Sequence, residues 1–108
     1  MPLSAPATVA ANLALVQRRI RAAEIRFGRD PGSVALLAVS KRQSTQAIRL
    51  AHAAGQLAFG ENYLQEALAK MADLADLPLE WHFIGQIQAN KTRQIAEHCH
   101  WVHGLDDV

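Results

Sequence analysis

Val34-Ala35-Leu36-Leu37-Ala38-Val39-Ser40-Lys41 is an apolar run of strand length that ends on a hydroxyl and an amine. Its apolar residues fall on both faces of an extended chain. That suits a parallel strand covered on both sides better than the edge of an open sheet. Before it, Val9, Leu13, Val16, Ile20, Ala23 and Phe27 recur at spacings of three and four, one stripe along a helix of about five turns. Thr8 is the expected N-cap of that helix, and Gly28 with Asp30-Pro31-Gly32 supplies the stop.

After the run, helix and strand alternate. Ser44 is expected to start a helix through Ile48 and Ala51 that Gly55 closes. Leu57-Ala58-Phe59 reads as a second strand, and Leu64, Ala67, Leu68, Met71 and Ala75 as the stripe of a helix ending near Pro78. Trp81-His82-Phe83-Ile84 reads as a third strand, Asn90 to about Cys99 as a helix, and Trp101-Val102-His103 as a fourth strand. Short apolar strands alternating with helices imply right-handed βαβ units and a parallel sheet. The expected class is α/β: a partial (β/α) barrel of about four parallel strands with an extra N-terminal helix. Residues 1–108 are expected to form one unit, with no internal repeat or linker.

In parallel sheets and β/α barrels, ligands bind at the C-terminal ends of the strands. That rule selects Ser40-Lys41-Arg42, Gly60-Glu61-Asn62-Tyr63 and Gly85-Gln86-Ile87-Gln88. Alternation along the first strand puts Lys41 on the face of Ala35, Leu37 and Val39. If that face points into a barrel, burial and the adjacent Arg42 favour the neutral amine, the form that attacks an aldehyde. A lysine at a strand end can equally be an ordinary surface residue. Asn62, with Gln65 three residues on, is either a site residue or an N-cap pair for the following helix. His82 and Ile84 share a face of the third strand. His82 is either a cavity lining or a hydrogen-bonded core histidine.

The chain has 108 residues, half of them hydrophobic, and a formal net charge of +1. No apolar run reaches membrane-spanning length, and Met1-Pro2-Leu3-Ser4 lacks the features of a signal peptide. The single Cys99 cannot form an internal disulfide and fits a reducing cytoplasm. Charge is uneven: residues 1–60 carry eight Lys/Arg against Glu24 and Asp30, whereas residues 61–108 carry three against eight acids. A solvated basic face explains this. A nucleic-acid surface of Arg18, Arg19, Arg21 and Arg26 is the rival, and neither nucleic acid nor membrane is the expected partner. His98, Cys99, His100 and His103 are metal-ligand types, but their spacing scatters them over opposite faces, so no metal site is expected.

Three blocks carry a resemblance. They are Leu37-Ala38-Val39-Ser40-Lys41, Phe59-Gly60-Glu61-Asn62-Tyr63-Leu64-Gln65-Glu66, and Trp81-His82-Phe83-Ile84-Gly85-Gln86-Ile87-Gln88-Ala89-Asn90-Lys91. Together they resemble, in order and spacing, the pyridoxal-phosphate homeostasis family, whose barrel is similar to that of alanine racemase. The resemblance implies pyridoxal 5'-phosphate as cofactor, held as a Schiff base on Lys41, with Asn62 near it; His82 and Ile84, on their shared strand face, would line the same cavity. It implies a non-catalytic carrier serving cofactor homeostasis, with amino acids or cofactor-accepting apo-enzymes as partners. A pyridoxal-phosphate-dependent amino-acid racemase is the alternative. Arg42-Gln43-Ser44 departs from the threonine, second lysine and proline common at those positions, and Gly85-Gln86 from Gly-His. A full barrel has eight strands, so the resemblance implies the N-terminal half, ending near Leu105-Asp106-Asp107-Val108. The phosphate and pyridine-nitrogen contacts would then lie elsewhere. Such a half would expose Ala35, Leu37 and Val39 and favour self-association.

Overall fold

The computed structural model describes residues 6–103. The first four residues and the stretch 105–108, which bear on the leader and half-barrel expectations, lie outside them. Helix α1 is Pro6–Arg26. It starts two residues before the expected cap, so Thr8 lies inside its first turn, a place where proline is tolerated. Strand β1 is Ala38–Val39, α2 is Thr45–Ala53, β2 is Ala58–Glu61 and α3 is Leu64–Asp73. Strand β3 is Glu80–Phe83; a 3-10 turn at Ala89–Lys91 leads into α4, Thr92–His98, and β4 is Trp101–Val102. No described helix is long and apolar enough to cross a membrane.

The four strands form one sheet in the order β1-β2-β3-β4, and every neighbouring pair is parallel. The alternation of strand and helix read from the sequence is therefore the architecture, with strands ordered as in half of a (β/α) barrel. Register makes the two faces explicit. Ala38, Phe59 and Trp81 are mutual partners, and this row packs with Ile48, Leu74 and Leu79, against which Val9 and Leu13 of α1 also lie. The opposite row is Val39, Gly60, His82 and Trp101. Val39 and Trp101 are 50% and 56% exposed there, so that face is open.

Local chemistry explains the boundaries. Ser44 caps α2, its hydroxyl accepting from the Ala47 N–H at 3.0 Å, as expected of a serine N-cap. Gly55 takes φ +104°, the region glycine adopts freely, and ends that helix. Strand β1 is much shorter than its apolar run. The Val34 N–H donates to Glu24 Oε2 at 2.9 Å, and the Leu36 carbonyl accepts from Gln56 Nε2 at 2.8 Å. Side chains thus replace ladder bonds before Ala38. Among the described residues nothing covers the second face of the run: Ala35 is exposed and Leu37 half-buried. The α1 stripe also breaks at its end. Phe27 is 72% exposed, while Glu24 is buried because it binds the loop that follows.

Candidate functional site

The β1–β2 register ends at Val39 and Gly60 and the β2–β3 register at Glu61 and Phe83, and just past these strand ends come Lys41, Asn62 and Ile84. Lys41 itself lies in the turn closed by the Gln43 N–H bond to the Ser40 carbonyl at 3.0 Å. His82 lies within β3, two residues before Ile84. The four residues singled out from sequence thus lie at or near the C-terminal ends of three neighbouring strands.

Each stands differently. Lys41 is exposed, so the apolar wall expected to desolvate it is not supplied by the described residues. Asn62 does not cap α3. The N-cap is Tyr63, with no side-chain bond, and Asn62 Oδ1 is buried with no hydrogen-bond partner among the described residues. The cap reading therefore fails, because the strand runs on to Glu61 and the helix starts one residue later than expected. An unspent buried acceptor needs a partner, which the cap reading had hidden. Ile84 reaches across Gly60, where an added Cβ would sit 3.2 Å from its Cδ1 and 3.5 Å from Leu37 Cδ2.

His82 is engaged at both ring nitrogens, Nε2 with Glu80 Oε1 and Nδ1 with His103 Nε2, each at 2.7 Å. Its ring stacks on His103 and Trp101, with centroids 5.0 and 6.0 Å away. This is the geometry of a hydrogen-bonded histidine on the open face, with no nitrogen to spare. His100 accepts from the Trp81 N–H through Nδ1 at 3.0 Å, and so is not grouped with His103.

Beneath Lys41 lies a cluster that the sequence did not reveal. Lys70 Nζ donates to the Ser40 carbonyl at 2.6 Å and to Glu61 Oε2 at 3.0 Å, and pairs with Glu66 Oε1 at 2.9 Å. The Ser40 hydroxyl donates to Glu61 Oε2, and the Arg42 N–H to Glu66 Oε1 at 2.7 Å. Ser40, Glu61 and Lys70 are all buried. The available signal was parity: Glu61 follows Phe59 by two residues and so shares its buried face.

The Lys70 ammonium, and then the Arg42 N–H, hold the Glu66 carboxyl below its ordinary range. Glu24 is lowered by the backbone N–H groups of Val34 and then Gly32. Carboxyls lowered by folding contribute stability that is full above their unfolded values, near pH 4–5, and lost as pH falls through their folded ones. We expect urea midpoints to be flat above about pH 5 and to drop on acidification, less steeply in Glu24→Gln. A midpoint that rises on acidification would refute this.

Comparison with known proteins bears on what these residues do. No protein-family model matches the chain. It is 65% identical over 99 residues to the pyridoxal phosphate homeostasis protein of Pseudomonas aeruginosa, covering 92% of this chain and 43% of the relative. The protein of the same name from Escherichia coli is 50% identical over 101 residues, covering 91% of this chain and 43% of the relative. The chain is homologous to pyridoxal phosphate homeostasis proteins. It spans about two-fifths of the length of the curated relatives it matches. Among solved structures, PipY of Synechococcus elongatus with pyridoxal phosphate bound is 52% identical with a TM-score of 0.68. The likeness covers 81% of this chain and 41% of PipY. A protein of unknown function from Bifidobacterium adolescentis superposes with a TM-score of 0.79 at 30% identity, over 92% of this chain and 45% of its own.

Proposed function

We propose that residues 1–108 are the N-terminal half of a pyridoxal-phosphate-binding (β/α)8 barrel, and that Lys41 is the amine to which the cofactor attaches. The observation that carries this reading is the set of residues at three neighbouring strand ends. An accessible primary amine follows β1, a buried Asn62 oxygen with no partner among the described residues follows β2, and the apolar Ile84 follows β3. These residues fit the group: the amine is free to condense, the amide oxygen has capacity for a donor, and Ile84 offers an apolar contact. When bound, pyridoxal phosphate supplies an aldehyde that a primary amine can hold reversibly. Asn62 and Ile84 would orient it. His82, whose nitrogens are spent on Glu80 and His103, would set the floor beneath.

The role is that of a cytoplasmic carrier serving cofactor homeostasis, with apo-enzymes or amino acids receiving the group. The names of the relatives support homeostasis, and PipY's bound pyridoxal phosphate supports the ligand. Racemization generally needs an acid/base group on each face of the substrate. Tyr63, the single tyrosine, is 52% exposed at the cap of α3, which favours a carrier over a racemase. The open face and the free edge of β1 also favour self-association.

The test is addition of pyridoxal phosphate, borohydride reduction and peptide mapping. Label should concentrate on Lys41, spare the buried Lys70 and vanish in Lys41→Ala. Equal label on Lys41, Lys70 and Lys91 would overturn the reading.

A further inference from the structure

We infer that Glu61, Glu66 and Lys70 are positioning residues for Lys41: their ion cluster clamps the two residues that flank it. The inference rests on the reading of Lys41 as the reactive amine.

On the N-terminal side, every polar group of Ser40 is occupied. Its N–H donates to the Gly60 carbonyl at 2.9 Å, and its carbonyl accepts from Gln43 N at 3.0 Å and from Lys70 Nζ at 2.6 Å. Its hydroxyl donates to Glu61 Oε2. On the C-terminal side, Arg42 is the one described non-glycine residue with positive φ, at +62°. That left-handed conformation costs a side-chain-bearing residue free energy and persists only where neighbours enforce it. The Arg42 N–H bond to Glu66 Oε1 is such a restraint.

Lys70 joins the two halves of the clamp. An ammonium has three N–H donors, and Lys70 has three acceptors: Ser40 O, Glu61 Oε2 and Glu66 Oε1. It is buried and saturated, whereas Lys41, between the clamped residues, is exposed. The two lysines therefore divide the labour, one fixing backbone and one presenting a free amine. A buried ion pair is weak evidence of stabilisation, since apolar replacements often do as well. Its concentration on the residues either side of one exposed amine argues for a positional role.

The test uses the 108-residue chain and no cofactor. Arg42 amide hydrogen exchange reads the clamp, and the pH profile of Lys41 acetylation by acetic anhydride, with Lys91 as internal reference, reads the amine. Glu66→Ala should speed Arg42 exchange about tenfold, as expected for loss of a hydrogen bond to a charged group. It should also shift the Lys41 profile while leaving Lys91 unmoved. Glu66→Gln keeps an acceptor oxygen and should stay near the parent on both readouts. The double change Glu61→Gln with Lys70→Met removes the buried charges together and should still shift Lys41.

Unchanged Arg42 exchange and Lys41 profile in Glu66→Ala and in the double variant would overturn the clamp, even if melting falls. So would Glu66→Gln behaving like Glu66→Ala. Failure of pyridoxal phosphate to label Lys41 in the parent would instead remove the functional reading and leave these measurements standing.

Discussion

Replacing Lys70 by alanine is expected to cost about 3–5 kcal/mol of stability, a large share of what a domain of this size has. The reason is what it leaves behind. Glu61 is 1% exposed, and one of its oxygens, Oε1, already lacks a partner among the described residues. Its other oxygen is bound by Lys70 and Ser40. Without the ammonium, a buried carboxylate keeps one hydroxyl for company, and the Ser40 carbonyl loses its shortest bond. An uncompensated buried charge is among the few single changes that reach this size. The paired replacement of Glu61 by Gln and Lys70 by Met keeps volume without charge and should cost much less. Urea midpoints of the parent, the single variant and the pair decide it. A single variant within about 1 kcal/mol of the parent would show that the pair is not holding a charge in the core.

Gly85→Ala is the second change expected to be severe, at about 3 kcal/mol. A Cβ at Gly85 would stand 2.3 Å from the Asn62 carbonyl oxygen and 2.9 Å from Asn62 C and Cα. Backbone on both sides cannot swing aside, so the ends of β2 and β3 must part. Asn62 is one of the proposed site residues, and labelling of Lys41 by pyridoxal phosphate should weaken along with stability. Gly60→Ala is the control. Its Cβ would approach only the end of the Ile84 side chain, at 3.2 Å, which can rotate. We expect a cost of about 1 kcal/mol or less there. Equal melting of the two variants would contradict the close approach at Gly85.

These two changes fall on residues that a linear reading undervalues, and the cause is physical. Strand and helix periodicity, the Ser44 cap and the Gly55 stop are local, and all three are legible within a few residues. That Lys41, Asn62 and Ile84 follow the C-terminal ends of successive parallel strands is legible too, because the strands themselves are. The ion cluster is different. Glu66 and Lys70 stand four apart, which on paper is an ordinary surface pair. Only the packing of α3 over the end of β1 turns it into a buried contact. Asn62 misled for a related reason: Asn62-x-x-Gln65 has the letters of a cap, but β2 runs to Glu61 and the helix takes Tyr63 as its N-cap. Exposure of Lys41 was equally invisible, since it depends on what covers the open face.

Gln56 has a consequence for the order of events on a ribosome. Its amide nitrogen bridges the Leu36 and Ala58 carbonyls at 2.8 Å each, bonding the approach to β1 to the start of β2 with no strand on the other edge among the described residues. Residues about twenty positions apart are therefore aligned by hydrogen bonds whose groups all lie within residues 36–58, so this part of the register can begin to form before β3 is made, ahead of its packing on Trp81.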